Sequence, residues 1–337
     1  MTLMRHAHKL QELIDRSKLV QPIRVAVVNA AQGVLLETLR EAVDLGFVEP
    51  TLIGESKAIC DLAALAGIRD AADRVMEAKS DTAAAAAGVT LVREGKVDVV
   101  MKGLIHTDTF MRPLLDAEHG LRLPGRRVSH AFLCDIPSYS KLLVITDAAI
   151  NIGPDLNAKA QILQNAIDLC HMLGVENPNV AVLSAVETVN PAIPSTLDAA
   201  SLTLMAQRGQ ITGAVVDGPL AFDNAISLRA AREKGITSAV AGHCDILLVP
   251  DLVSGNILAK NLEYLADAVA AGIVLGLSAP VVLNSRSESV PARLAALALA
   301  AHIHHRSAKI VGPKATPVEG TLQCAPQPES ACCPLPR

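Results

Sequence analysis

The segment Asn284-Ser285-Arg286-Ser287-Glu288-Ser289 follows a short apolar run and leads into an alanine-rich helical pattern. Ser289 is placed to cap that helix and Pro291 to start it. Amides at a helix start, an arginine fork and several hydroxyls together can bind an anion and steady a developing negative charge. Similar polar ends follow other apolar runs: Lys102-Gly103 with Thr107, Thr146-Asp147 with Asn151, Ser184 with Glu187, Asp217-Gly218-Pro219, and Pro250-Asp251 with Gly255 and Asn256. Open parallel sheets bind ligands beyond the carboxyl ends of their strands. These ends therefore predict one shared polar cleft, with Lys102, Thr107, Asp147, Asn151, Asp217, Gly255 and Asn256 as its candidate ligand-binding residues.

Other chemistries lack their residues. The first apolar run ends in Asn29-Ala30-Ala31-Gln32-Gly33, without the glycine spacing of a dinucleotide fold, and no GxxxxGK[ST] or GxSxG stretch occurs. The histidines do not fall at HExxH spacing; His302, His304 and His305 gather at a helix end, where they suit the dipole, and no metal site is expected. The seven cysteines contain no CxxC pair. Cys60, Cys134, Cys170 and Cys244 lie in apolar segments and read as small hydrophobes rather than nucleophiles.

Composition narrows the field further. Of 337 residues, 50% are hydrophobic and only 2% aromatic, so a large core is available but base-stacking platforms are not. A net charge of −4 with no basic block argues against nucleic acid. The longest uncharged run, 268–284, is broken by Gly272, Gly276 and Pro280, which argues against a membrane span. The first residues hold no apolar stretch of export-signal length, so a cytoplasmic protein is expected.

The elements that must position the polar ends alternate along the chain. Apolar runs of strand length fall at 23–28, 51–53, 97–101, 131–134, 142–145, 180–183, 214–216, 245–249 and 281–283. Helical patterns fall at 5–19, 35–45, 82–93, 158–173, 221–234, 257–274 and 292–303. Continuous apolar strands alternating with helices predict a mostly parallel α/β sheet covered on both faces. From Gly312 onward the chain is rich in proline without apolar periodicity and reads as a disordered tail, 312–337.

Five stretches in order, MKGLIHTDTFMRPLL (101–115), TDAAINIGPDL (146–156), VDGPLAFDNA (216–225), AGHCDILLVPDLVSGNILAK (241–260) and APVVLNSRS (279–287), resemble the phosphate acetyltransferase/phosphate butyryltransferase family. The first is more similar to the butyryl branch and to hydratase-fused phosphotransacetylase domains. The resemblance covers about residues 15–310. It implies two doubly wound α/β domains with an interdomain cleft, similar to the isocitrate/isopropylmalate dehydrogenases. The first domain is expected to hold 1–150 plus 280–311 and the second 151–279. It implies reversible transfer of an acetyl or butyryl group between coenzyme A and inorganic phosphate, with acyl phosphate as product and no bound cofactor. A homo-oligomer, as a homodimer, is expected. Ser285 and Arg286 match the family's active-site Ser-Arg pair, and Arg112 matches an arginine facing the ligand cleft. One departure stands out: acetyltransferases carry an aspartate six residues after the arginine, proposed to take the thiol proton, and here that position is Ala292. Glu288 and Asp147 are the candidate carboxylates to substitute, though neither matches the family motif for that role.

The chemistry fits this set. Phosphate, with a second pKa of about 6, is mostly dianionic at neutral pH and needs positioning by an arginine fork more than deprotonation. The thioester carbonyl becomes an oxyanion and needs a donor, which the Ser285 hydroxyl or a loop amide supplies. Direct attack in a ternary complex follows. Two other readings stay open: an NAD-dependent dehydrogenase, with Asp217, Asp223 and Asp251 as metal ligands, and a non-catalytic acyl-CoA sensor, favoured by Ala292.

Overall fold

A computed structural model describes residues 8–68, 70–285 and 287–310. Arg286 and the tail expected at 312–337 lie outside them. In chain order the first half runs α1 (His8–Ser17), β1 (Ile23–Val28), α2 (Gly33–Asp44), β2 (Val48–Gly54), α3 (Ser56–Leu65), β3 (Val75–Glu77), α4 (Asp81–Arg93), β4 (Val99–Lys102) and α5 (Thr107–Leu114). Then come β5 (Ser129–Asp135), β6 (Leu143–Thr146), α6 (Leu156–Met172), β7 (Asn179–Leu183), α7 (Pro194–Gln207), β8 (Val215–Leu220), α8 (Phe222–Ile226) and α9 (Leu228–Glu233). The chain closes with β9 (Ile246–Leu248), α10 (Leu252–Leu265), β10 (Val269–Leu275), β11 (Val281–Val282) and α11 (Val290–Ile310).

All eleven strands form one sheet in the order β3-β2-β1-β4-β11-β10-β5-β6-β9-β7-β8. It is mostly parallel, as expected, with seven of its ten pairings parallel; the other three were not foreseen. β10 is antiparallel to both β11 and β5, and β5 is antiparallel to β6. Three reversals in a row leave β6, β9, β7 and β8 pointing opposite to β1, β2, β4 and β11. The reversal went unread because 257–274 has one alanine-rich helical pattern. In the structure the helix stops at Leu265, Asp267 takes a positive φ of 52°, and a seven-residue strand follows.

The two faces are covered differently. Val25, Val27, Val99, Met101, Val282, Ile273, Ala131 and Val144 belong to one continuous core with residues of α1, α2, α3, α6, α7 and α11. Residues alternate between faces along a strand, so Ala26, Val28, Val100, Val281 and Val274 face the other way. They form a separate core under α4 and α5. Phe132, Cys134, Leu143, Ile145 and Leu247 lie on that same face in a third core, under α8, α9 and α10. The second and third cores are separate, and the gap between them, over β10 and β5, holds the buried residues His130 and Gly272.

Gly272 of β10 lies in that gap. A Cβ there would come within 2.5 Å of the Leu283 carbonyl and 3.1 Å of His130 Nε2, so only glycine fits. His130 is fully buried, and burial holds its imidazole below the usual histidine range against the opposing pull of Asp147. At the far end of α11, His304 stands 3.7 Å from Asp98, an acidic neighbour not apparent in the sequence. Among the described residues no helix is long and apolar enough to cross a membrane.

Candidate active site

The strand reversal splits the predicted cluster between two levels of the gap. Val282, Ile273, Ala131 and Thr146 lie in one row across four strands. Asp147 therefore sits one row to one side, while Ser285 lies three rows to the other. At about 3.3 Å per residue the two are roughly 13 Å apart along the strand direction. The shared single end expected for all the strand tips is thus corrected to two ends of the sheet.

At the Ser285 end, Lys102 is buried at the tip of β4 and its Nζ approaches the Gly103 carbonyl at 3.5 Å. Gly103 passes so close to the preceding loop that a Cβ would meet the Asn29 carbonyl oxygen at 2.3 Å. Thr107 opens α5 and is half-buried; Arg112, in the last turn of that helix, is exposed. Ser285 is half-buried. Its Oγ lies 3.2 Å from Ser287 Oγ, which accepts a hydrogen bond from the Tyr264 hydroxyl at 3.1 Å. The Ser285 amide donates to Glu288 Oε1 at 2.6 Å and is committed within the loop.

At the other end Asp147 organises a turn. Its Oδ1 accepts from the amides of Ala149 and Ile150 at 2.9 and 3.0 Å. Its Oδ2 accepts from the His130 and Asn151 amides at 3.1 and 3.4 Å and from Asn151 Nδ2 at 2.6 Å. The carboxylate is 3% exposed and both of its oxygens accept hydrogen bonds. Asn151 Oδ1 in turn accepts from Arg127 Nη1 at 2.8 Å. Arg127 is thus an exposed cation aimed by this turn. Sequence reasoning missed it, since nothing in Gly125-Arg126-Arg127 shows that Arg126 turns to Asp168 and Arg127 to Asn151.

Helix α10 joins the two ends. A Cβ on Gly255, in its first turn, would lie 2.9 Å from the Asp147 carbonyl oxygen, and Asn256 Nδ2 donates to the Ala148 carbonyl at 3.4 Å. Tyr264, in its last turn, reaches Ser287. Nine residues at about 1.5 Å rise span roughly 13 Å, matching the separation read from the sheet register. Gly255 and Asn256 therefore seat α10 on the Asp147 turn. Asp217 is not brought here: it lies on the edge strand β8, six strands from β11, and its Oδ1 accepts from the Gly218 amide at 2.8 Å where the β7–β8 register shifts.

No thiol is primed as a nucleophile among the buried cysteines. Burial pushes Cys134 and Cys170 up to about 12 and Cys244 up to about 11. Ala292 is buried, so the departure from the family pattern stands in the structure as an apolar contact.

Comparison with known proteins bears on this site. A family model described as "Phosphate acetyl/butaryl transferase" matches residues 68–301. The phosphate acetyltransferase of Rhizobium meliloti is 48% identical over 293 residues, covering 87% of this chain and 92% of that protein. The phosphate butyryltransferase of Clostridium acetobutylicum is 42% identical over 290 residues, covering 86% of this chain and 96% of that protein. The crystal structure of a branched-chain phosphotransacylase from Enterococcus faecalis V583 superposes with a TM-score of 0.74 at 30% identity, covering 84% of this chain and 99% of that one.

Proposed function

The chain belongs to the phosphate acetyl/butyryl transferase family, an acyltransferase family, and we propose that it moves a short acyl group between coenzyme A and inorganic phosphate in the groove between α5 and α10. The observation that supports this is the seating of α10 between the two predicted ends: Asn256 donates to the Ala148 carbonyl beside the Asp147 turn, and Tyr264 reaches Ser287 beside Ser285. A groove roughly 13 Å long suits an extended acyl-CoA better than phosphate alone.

In the phosphate-consuming direction a phosphate oxygen attacks the thioester carbonyl carbon. The carbonyl becomes a tetrahedral oxyanion, which the Ser285 hydroxyl steadies. The carbon–sulfur bond then breaks, giving acyl phosphate and coenzyme A thiolate, which takes its proton from water. Arg286 is assigned to phosphate by its place in the Ser-Arg pair, and Arg112, Arg127 and Lys102 supply further positive charge for phosphate groups. This direction needs no protein base.

Two finer points belong to the same proposal. The chain works as a cytoplasmic homodimer; the exposed apolar side chains Val253, Ile257 and Leu265 of α10 and the free cysteines Cys60, Cys134, Cys170 and Cys244 support it. It divides into two α/β units; the split core supports this and draws β5 and β6 to the second unit, away from a boundary near residue 150.

Direct attack has a distinctive kinetic outcome. With phosphate, acyl-CoA is converted to acyl phosphate. Without phosphate, labelled coenzyme A is expected not to exchange into acyl-CoA, because no acyl-enzyme forms. Exchange in the absence of phosphate would establish a covalent intermediate and overturn the ternary-complex mechanism.

A further inference from the structure

Building on that function, we infer that Glu288 and Arg293 are positioning residues that hold the Ser285 backbone from both sides, and that Glu288 is not the proton acceptor that Ala292 leaves absent. Arg293 lies in the first turn of α11 and is 1% exposed. Its Nη2 donates to the Ser285 carbonyl at 3.1 Å and reaches Gln32 Oε1 at 3.5 Å, and its Nε donates to the Glu288 carbonyl at 3.2 Å. Gln32 stands at the start of α2, so one guanidinium ties the β1–α2 loop to the β11–α11 loop. A planar fork can span these oxygens at once, and an ammonium cannot.

Glu288, 3% exposed, completes the clamp. Its Oε1 accepts from the Ser285 amide at 2.6 Å and its Oε2 accepts from the Asn284 side-chain amide. The Glu288 amide donates to the Ser285 carbonyl at 3.3 Å. Both backbone polar groups of Ser285 are therefore committed, and its hydroxyl is the group left for substrate. A carboxylate whose two oxygens already accept inside the protein is a support for the loop, not an open site for a thiol proton. Lys260 and Glu263 of α10, Cys134 of β5 and Arg293 of α11 face it. Burial is the largest influence and raises its pKa above the ordinary glutamate value, so the folded loop accommodates the neutral side chain more readily than water does.

The glutamine variant separates support from proton transfer. Glutamine keeps an oxygen for the Ser285 amide but cannot take a proton. Its NH₂ is accommodated if the Asn284 amide turns over, since Asn284 Oδ1 has no hydrogen-bond partner in the present arrangement. The experiment compares wild type, Glu288→Gln, Glu288→Ala, Glu288→Asp and Arg293→Lys, each checked for folding by circular dichroism, in both directions of the acetyl-CoA/phosphate reaction across pH 5 to 9. Glu288→Ala and Arg293→Lys are expected to lose at least tenfold in kcat in both directions. Glu288→Gln is expected to keep at least ten times the kcat of Glu288→Ala and the shape of the wild-type pH profile. Glu288→Asp, a shorter charged side chain, tests the same point should the alanine variant not fold, and is expected to turn over more slowly than Glu288→Gln. Glutamine as poor as alanine, or poorer than aspartate, would make Glu288 a proton acceptor and overturn the inference. Folded Glu288→Ala or Arg293→Lys with wild-type kcat would overturn it as well. Absence of phosphate-dependent turnover in the wild type would instead remove the proposed function itself, whatever the variants do.

Discussion

Ser285→Ala is expected to slow phosphate-dependent release of coenzyme A on the order of a hundredfold while leaving the fold intact. Removing one preorganised donor from an oxyanion site costs about 3 kcal/mol in the transition state. The structural cost is small by comparison. The hydroxyl is half-buried and its protein neighbour is Ser287 Oγ at 3.2 Å, on the outer side of the loop. The backbone stays clamped, because the groups that hold Ser285 bind its amide and carbonyl. Steady-state kinetics with thermal unfolding of both proteins checks this. An unchanged kcat would take Ser285 out of the oxyanion role, and a large drop in unfolding temperature would mean that the hydroxyl serves the fold.

Asp147→Asn is expected to lower stability by roughly 3 kcal/mol and to depress activity with it. Asparagine is nearly the same shape but carries one acceptor oxygen where the carboxylate has two. Either the Ala149 and Ile150 amides or the His130 and Asn151 donors then meet an NH₂ group. Unmatched buried donors cost about 1–3 kcal/mol each, more when the lost acceptor was charged. Activity follows because Asn151 holds Arg127, so a loosened turn releases that cation from the groove. Denaturant unfolding gives the stability change directly. An Asp147→Asn protein as stable as wild type would mean that the carboxylate does not organise this turn.

Much of the fold was legible because strands buried on both faces read as continuous apolar runs, as at β1 and β5. Loops such as Asn284–Ser289 were legible because a capping serine and a helix-starting proline leave a local mark. The direction of the strands was not legible. That depends on β10, whose Val269–Leu275 residues follow helix α10 with neither glycine nor proline between them. Its strand state comes from pairing with β5 and β11, a tertiary effect that outweighs local propensity. Asp217 joined the cluster because its place on the edge strand β8, three strands from β6, leaves no mark in the sequence. The roles of Asp147, Gly255 and Asn256 as the seat of α10 were hidden for the same reason, since each depends on contacts more than a hundred residues apart in the chain. Arg293 did leave a signal: a single arginine within an otherwise apolar helix, 292–303, marks a cation that must be satisfied inside the protein.

The most direct test of the central claim is release of coenzyme A thiol from acetyl-, propionyl- and butyryl-CoA by the purified chain, with and without inorganic phosphate, with acyl phosphate trapped by hydroxylamine. Thiol and acyl phosphate are expected in equal amounts from at least one of the three thioesters, and only when phosphate is present. Release that ignores phosphate, or none from any of the three, would contradict a phosphate acyltransferase site in this groove.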